Sequence, residues 1–390
     1  MPKKTYFKNK RVLIRADFNV EIESNRVVDD FKIVRALKTI KYVNSQSRYV
    51  LLVSHLGNPK EGGRLDSLAP VAKYLSKLLN KKVYFVFDRL EQLEQSLSGL
   101  PKGSVVLLEN IRFYSGEYSE SGYVNSVSFS KKLASLADCY INEAFGESHR
   151  KVSSLVGITK YLPSFAGFNL VEEIKNLDRI KKGFKKPLVI ILGGSKLKTK
   201  LPLIKSFIKQ ADQILLGGAL ANTFLRSLGL EIGRSVFEKD FLKQASRLAE
   251  LKQVYLPIDF AIAKSKNSKK FRLTDNQLPA TDYLLDLGPE TIRQYQKIIK
   301  SAGMILWNGP MGYYENPVFS LGTKEIAKAI FANKKAFKVI GGGDTAAFLR
   351  KAEFPISNSQ FLNTFISTGG GAMLEYLAGK KLPGIETLNY

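Results

Sequence analysis

Cysteine is almost missing from this chain: its 390 residues include one, Cys139. A disulfide framework is therefore excluded, and the fold must be held by buried apolar surface. The setting Leu136-Ala-Asp-Cys-Tyr-Ile-Asn142 predicts a buried, inert thiol. Histidine is scarce as well, at two residues, and no Cys/His finger or RNP-like aromatic signature is present. Acid is under-represented: 35 Asp plus Glu against 60 Lys plus Arg leave a formal charge of +25. Such an excess attracts anions of every kind and selects none. Because the basic residues are scattered through helical stretches such as Ile174 to Lys186, a solvated basic surface is expected, with nucleic acid the less favoured partner. Long apolar runs are absent too; nothing approaches the stretch of about 20 residues that spans a bilayer. Arg11 and Arg15 break up Val12 to Ile14 behind the basic N-terminus, so no secretory signal is expected. These absences point to a soluble, cytoplasmic protein. A Gly-x-x-x-x-Gly-Lys-Ser/Thr segment is also missing, which excludes a P-loop ATPase at the level of motif.

What is present is an alternation of short β-branched runs with amphipathic helical patterns from end to end. The first series of strands runs through Val12 to Ile14, Tyr49 to Val53, Val83 to Phe87, Val105 to Leu108 and Cys139 to Ile141. Its helices are Arg35 to Val43, Leu68 to Leu79 and Phe129 to Leu136. A second series follows, through Leu188 to Leu192, Gln213 to Leu216, Gln253 to Pro257, Met304 to Leu306, Phe337 to Ile340 and Phe361 to Ile366. The pattern predicts an α/β protein with parallel sheets covered on both faces. Its length suggests two domains, for which 44% hydrophobic residues are ample. Between the series, Leu170, Val171, Ile174, Leu177 and Ile180 recur at helical spacing within Gly167 to Gly183. A helix connecting two lobes is the economical reading.

Three glycine clusters stand after apolar runs near the C-terminus: Trp307-Asn-Gly-Pro-Met-Gly312, Gly341-Gly-Gly-Asp-Thr345 and Ser367-Thr-Gly-Gly-Gly371. Bare backbone at the ends of parallel strands, followed by helix N-termini, is where open α/β sheets bind phosphates. Gly341-x-Gly343-x-x-Ala346 also fits the loose dinucleotide fingerprint, which leaves a nicotinamide dehydrogenase as a rival. Against it, Asp344 would repel a bare pyrophosphate, and no acid lies at the ribose distance of about 20 residues beyond. Asp344 suits an Mg²⁺-bound nucleotide instead. In Ile190-Ile-Leu-Gly-Gly-Ser-Lys196, Lys196 stands just past a strand and Lys200 one helical turn further on. Four residues apart, the two ammonium groups are expected to share a helix face and point at one polyphosphate.

The first series carries Arg15-Ala-Asp-Phe-Asn-Val20, Ser54-His-Leu-Gly57, Leu107-Leu-Glu-Asn-Ile-Arg-Phe113 and Ala144-Phe-Gly-Glu-Ser-His-Arg150, each at the end of a predicted strand. Arg112, Arg150, His55 and Asn19 converging on one crevice would suit a small phosphorylated carboxylate.

Taken together and in order, these segments resemble the phosphoglycerate kinase family over essentially the whole chain. The resemblance implies two similar-sized Rossmann-like lobes: residues 1–168 binding phosphoglycerate, 186–372 binding nucleotide, 169–185 forming the connecting helix, and 373–390 returning to the first lobe. It implies reversible phosphoryl transfer between 1,3-bisphosphoglycerate with ADP and 3-phosphoglycerate with ATP, in glycolysis, by a monomer acting on small molecules and using Mg²⁺. By matching position, Asp17, Asn19, Lys32, His55, Asn58, Arg112 and Arg150 would contact the glycerate. Lys196 and Lys200 would meet the nucleotide phosphates, with Gly194, Gly217, Gly341 and Gly343 around them. Asn308, Pro310 and Glu315 would line the nucleoside, Glu315 on the ribose. Asp344 would hold magnesium, and Thr345 with the N–H groups of Gly342, Gly370 and Gly371 would bind phosphate oxygens. Lys32, Lys196, Gly342 and Gly371 would act on the phosphoryl in flight.

The chain departs from the family pattern at four of these places. Lys32 and Asn58 stand where the family usually has arginine, Thr199 where it has an acid, and Glu143 where it has aspartate. Lys32 keeps the charge and loses the planar fork, so a slowed enzyme is expected, with Arg35 or Arg64 compensating in part. The alternative is a degenerate kinase-like protein that binds nucleotide without turnover. Since a carboxylate acceptor is already ionised near neutral pH, the reaction needs no general base; it needs in-line positioning, charge neutralisation and closure of the two lobes.

Overall fold

The strands at the centre of both large sheets are buried from end to end, as in Tyr49–Val53, Ser104–Leu108, Leu188–Leu192 and Met304–Asn308. Strands covered by helices on both faces have no solvent side, so their sequences are continuous apolar runs. The computed structural model describes residues 1–57, 66–88, 92–119, 122–183, 185–274, 279–354 and 363–388. The chain divides into two compact units, Met1–Lys175 with Lys381–Tyr390, and Asn176–Lys380.

The first unit carries β1 (Arg11–Arg15), a ribbon of β2 (Ile22–Glu23) and β3 (Arg26–Val27), β4 (Tyr49–Val53), β5 (Val83–Val86) and β6 (Ser104–Leu108). A second ribbon of β7 (Tyr118–Ser119) and β8 (Gly122–Tyr123) precedes β9 (Cys139–Asn142) and β10 (Ser164–Ala166). Six strands form one parallel sheet in the order β10-β9-β1-β4-β6-β5. Its helices are α1 (Phe31–Asn44), α2 (Ala69–Leu79), α3 (Leu93–Ser98), α4 (Val127–Ser135) and α5 (Phe168–Lys181), the last running across the division at Lys175. Val12, Ile14, Ile40, Val50, Leu52, Val71 and Leu75 belong to one core cluster, buried between sheet and helices. Local signals set the ends: Ser126 accepts a hydrogen bond from the Phe129 N–H at the start of α4, and Asn80 closes α2 in the left-handed region at φ 47°.

The second unit contains β11 (Leu188–Leu192), β12 (Gln213–Leu216), β13 (Val254–Tyr255), β14 (Phe260–Ala263), β15 (Arg272–Thr274), β16 (Tyr283–Leu287), β17 (Met304–Asn308), β18 (Phe337–Gly341) and β19 (Thr364–Ile366). Again six strands make a parallel sheet, β13-β12-β11-β17-β18-β19. Around it lie α6 (Leu197–Phe207), α7 (Gly218–Ser227), α8 (Leu242–Ala249), α9 (Pro289–Ser301), α10 (Leu321–Ala332), α11 (Gly343–Lys351) and α12 (Gly371–Leu377). The α/β class and the parallel sheets are those the alternating pattern predicted.

Three details differ from that pattern. An antiparallel sheet, β15-β14-β16, interrupts the parallel series; its strands are short and Leu273 is exposed, so no clean period marks them. The strand Ser164–Ala166 is too short to register as a run. Helix α1 begins at Phe31, a turn earlier than the apolar spacing indicates, because Asp29 Oδ1 accepts from the Phe31 N–H. Lys32 thereby enters the first turn of α1. Among the described residues, no helix is long and apolar enough to cross a membrane.

Candidate active site

In each parallel sheet the strand order reverses beside a central strand, β1 in the first unit and β11 in the second, and crevices open beyond the carboxyl ends at such points. In the first unit, the segments after the neighbouring strands β9, β1, β4 and β6 bring charged side chains together. Asp17 Oδ1 accepts from the Asn19 N–H at 3.1 Å, and its Oδ2 lies 2.9 Å from Lys32 Nζ. Asn19 Oδ1 accepts from the Gly57 N–H at 2.9 Å, and Arg112 donates to the Gly57 carbonyl.

Glu147 is the centre of the cluster. Its Oε2 is 2.8 Å from Arg112 Nη2 and 3.0 Å from Arg150 Nε, and its Oε1 is 3.6 Å from His55 Nε2. Both guanidinium groups also lie over the Tyr123 ring, Arg150 at 4.1 Å and Arg112 at 5.0 Å from its centroid. His55 is buried, and its Nδ1 is 3.4 Å from Arg15 Nη2. Burial, then the positive charges of Arg112, Arg15, Lys32 and Arg150, hold its pKa well below the ordinary value, so the imidazole is neutral near pH 7. Behind it, Arg15 donates to Ser154 Oγ at 2.9 Å, and Ser154 donates from N and Oγ to the buried Glu117 at 2.8 and 2.5 Å. Burial raises the Glu117 pKa despite those bonds.

The second unit has a different chemistry, in which backbone replaces side chains. The loops after β11, β12 and β17 cross so closely that side chains would collide. Gly218 has φ +60°, and a Cβ there would stand 2.8 Å from Gly194 N and 2.9 Å from the carbonyl oxygens of Gly194 and Pro310. A Cβ on Gly217 would meet Met311 Cε at 2.4 Å. Beside them the loops after β18 and β19 approach one another, since a Cβ on Gly370 would lie 3.5 Å from Gly342 Cα. Asn308 Nδ2 donates to the Gly341 carbonyl at 2.9 Å, and Thr345 Oγ1 accepts from the Gly309 N–H at 2.8 Å. Helices α6, α7 and α11 start at these loops and turn the positive ends of their dipoles toward them; at α6 the Leu197 and Lys198 N–H groups donate to Glu238 Oε2, and at α7 the Gly218 and Leu220 N–H groups donate to the carbonyls of Met311 and Gly194.

A cavity of about 220 Å³ adjoins the loops, lined by Gly194, Gly218, Pro310, Tyr313, Glu315 and Asp344 among others. Asp286 also faces it; this buried carboxylate accepts from the N–H groups of Gly322 and Leu287 at 2.8 and 2.9 Å, and burial pushes its pKa up to about 7. Lys200 is partly buried, and desolvation lowers its pKa, opposed by the charges of Asp344 and Glu238.

A family model described as phosphoglycerate kinase matches residues 3–380. A phosphoglycerate kinase of Dictyoglomus turgidum is 42% identical over 98% of this chain and 96% of its own length, and one of Thermosipho africanus is 42% identical over 98% and 95%. The chain belongs to the phosphoglycerate kinase family. Solved structures agree: phosphoglycerate kinase from Coxiella burnetii superposes with a TM-score of 0.79 at 37% identity, covering 98% of this chain and 96% of that one. Phosphoglycerate kinase from Pyrococcus horikoshii superposes with a TM-score of 0.87 at 30% identity over 100% of this chain and 98% of its own.

The first unit brings Asp17, Asn19, Lys32, His55, Arg112 and Arg150 together beyond the carboxyl ends of its strands. Asn58 and Arg64 lie outside the described residues. Arg35 is turned elsewhere: it donates to Asn169 Oδ1 at 2.8 Å and pairs with Glu172 of α5 at 3.4 Å. In the second unit Gly194, Lys196, Gly217 and Gly342 stand in the loops, Asn308 and Gly341 at the ends of β17 and β18, Lys200 in the first turn of α6 and Gly343, Asp344 and Thr345 in the first turn of α11, while Pro310 and Glu315 line the cavity. One detail is corrected. Lys196 precedes α6 in extended backbone, φ −110° and ψ 103°, so it does not share a helix face with Lys200 as their spacing suggested; its charge nonetheless acts on Lys200.

Sequence reasoning missed Glu147, Glu117, Tyr123 and Glu238. Glu147 stands inside a segment singled out for Arg150, three residues before it, and that spacing on a helical turn was the available signal. Glu238 Oε2 accepts from the Leu197 and Lys198 N–H groups at the start of α6, across a long stretch of sequence, and no local pattern announces it.

A magnesium ion bound with a nucleotide needs one or two carboxylates, the rest of its shell coming from phosphate oxygens and water. The chain's residues fit that mode. Asp344 is exposed in the first turn of α11 and lines the cavity. Among the described residues there is no group of three or more His, Cys, Asp or Glu that could hold a metal.

Proposed function

We propose that this chain catalyses the reversible transfer of a phosphoryl group from 1,3-bisphosphoglycerate to ADP, giving 3-phosphoglycerate and ATP, as a cytoplasmic monomer in glycolysis. The observation that carries the reading is the division of labour between the units: a crevice edged by arginine forks in one, and glycine loops beside a cavity in the other, each beyond the carboxyl ends of a parallel sheet.

The first unit is assigned the phosphoglycerate. Arg112 and Arg150 suit bidentate contacts to phosphate or carboxylate oxygens, neutral His55 and Asn19 suit the hydroxyl and carboxyl groups, and Asp17 holds Lys32. The second unit is assigned the nucleotide. Its cavity takes the nucleoside with Glu315 at the ribose, and the N–H groups of Gly342, Gly370 and Gly371 with Thr345 take phosphate oxygens. Lys196 and Lys200 neutralise charge on the group being transferred. Asp344 would hold the nucleotide's Mg²⁺, which supplies charge neutralisation on the phosphates when bound.

No proton has to be removed from the acceptor, because a carboxylate is ionised near neutral pH. Catalysis on this reading is positioning plus electrostatics. In-line transfer calls for a movement that brings the two bound substrates together, with α5 the hinge candidate, and small-angle scattering should show compaction only when both are present. Lys32 in place of a planar guanidinium slows the step without abolishing it.

A coupled assay for ATP-dependent acyl phosphate formation, with and without Mg²⁺, tests the reading. Turnover that requires 3-phosphoglycerate, ATP and Mg²⁺ together supports it. Nucleotide binding with no turnover at any Mg²⁺ concentration refutes it in favour of a binding-only protein.

A further inference from the structure

We infer that Glu147 is a built-in counter-anion of the acceptor site, holding Arg112 and Arg150 in place until an incoming phosphate or carboxylate displaces or shares it. This rests on reading the arginine cluster as an anion site. One carboxylate oxygen, Oε2, accepts a hydrogen bond from Arg112 Nη2 at 2.8 Å and is ion-paired with Arg150, whose Nε lies 3.0 Å away but has no hydrogen-bond partner among the described residues, so both guanidinium groups face the same anionic oxygen. The other oxygen faces His55 at 3.6 Å. The neighbouring acids are engaged elsewhere, Asp17 with Lys32 at 2.9 Å and Glu117 with Ser154. Glu147 is therefore the carboxylate that both arginines have in common.

The energetic consequence has a definite sign. Two arginines and one carboxylate leave one net positive charge for the ligand; with the carboxylate neutralised, two remain. Arg112 is 3% exposed, and a buried cation deprived of its partner destabilises the empty protein. A bound anion then recovers that loss, so ligand binding becomes tighter as the empty protein becomes weaker. Glu147 thus sets substrate affinity low and keeps the two forks ordered in the absence of ligand.

Thermal unfolding of the full chain, titrated with inorganic phosphate, tests this. Wild type, Glu147→Gln, Glu147→Asp and Arg150→Ala are compared, and the part of the phosphate response that Arg150→Ala removes belongs to this cluster. Glu147→Gln is expected to melt lower without phosphate and to bind phosphate at this cluster roughly three- to tenfold more tightly. Its KM for 3-phosphoglycerate falls by a similar factor while its KM for ATP stays unchanged. Glu147→Asp, shorter by one methylene, is expected to fall between the two. Phosphate binding to Glu147→Gln that is no tighter than to wild type overturns the inference and leaves Glu147 a structural residue. If the Gln variant does not fold, Glu147→Asp decides, and phosphate affinity at or below wild type overturns it equally. A wild-type protein with no 3-phosphoglycerate turnover, whose phosphate response still strengthens in Glu147→Gln, refutes the kinase reading and supports this one.

Discussion

Replacing Glu143 by glutamine should remove a fall in stability that is expected of the wild type as pH rises from about 5 to 8. Glu143 follows β9 and is 2% exposed. Its Oε1 accepts from Thr39 Oγ1 at 2.8 Å and from the Asn169 N–H at 3.0 Å, tying α1 and the first turn of α5 to the sheet. Its Oε2 has no hydrogen-bond partner among the described residues and fills the space beside Gly167, where a Cβ would stand 1.6 Å away. Burial pushes the carboxyl up to about 8 from an ordinary 4.5, outweighing the bonds from Thr39, Asn169 and Leu170 and the charge of Arg35.

The folded protein therefore binds a proton here that the unfolded chain has already released. A raised carboxyl pKa costs nothing below about 4.5, costs progressively more up to about 8, and then levels off. At pH 7 the cost is about 3 kcal/mol, from 1.36 kcal/mol per pH interval. Glutamine does not titrate, but its amide N–H groups find no acceptor where Oε2 lay, at a cost of about 1–3 kcal/mol at every pH. Glu143→Gln should accordingly be less stable than wild type at pH 5, close to it near neutrality, and equal or more stable at pH 8. Amide hydrogen exchange in β9, measured between pH 5 and 8.5 and corrected for intrinsic rates, follows this region. The difference between variant and wild type is the quantity to read, because His55 pulls the other way: a lowered imidazole pKa makes stability rise with pH. A difference that stays flat across the window would refute the reasoning.

Asp344→Ala should lower ATP-dependent turnover about 10²- to 10³-fold and abolish its response to Mg²⁺ in the coupled assay, while the fluorescence of the buried Trp307 reports an intact second unit. Lys32→Arg should raise kcat about tenfold by restoring a planar fork; an unchanged kcat would contradict the view that Lys32 slows transfer. Gly218→Ala, placing a methyl 2.8 Å from Gly194 N at φ +60°, should cost about 3 kcal/mol in urea unfolding. Cys139 is buried and its thiol is pushed up to about 12. Labelling by a thiol reagent should therefore track unfolding, and rapid stoichiometric labelling of the native protein would contradict this.

The amino-acid sequence alone determined the parallel α/β architecture and marked the loops at the strand ends that carry the candidate site residues. Both are local properties: a strand buried on both faces must be a continuous apolar run, and backbone that approaches a phosphate or another loop must be glycine, so each leaves its mark within a few residues. The same holds for Lys32, Asp344 and Arg150, which stand in segments specific enough to be matched to a family. Which charges meet was decided only in the tertiary structure. Arg112 and Glu147, or Glu238 and the start of α6, are separated by some 40 residues or fewer yet share no local pattern; they meet because the strands preceding Arg112 and Glu147 lie in one sheet and because the Glu238 loop folds back over a helix end. The antiparallel strands β14 to β16 were invisible for a related reason. β14 is buried but only four residues long, and β15 and β16 are partly exposed; they owe their conformation to pairing partners, and a carboxylate such as Glu147 acquires its meaning only from the two arginines the sheet delivers to it.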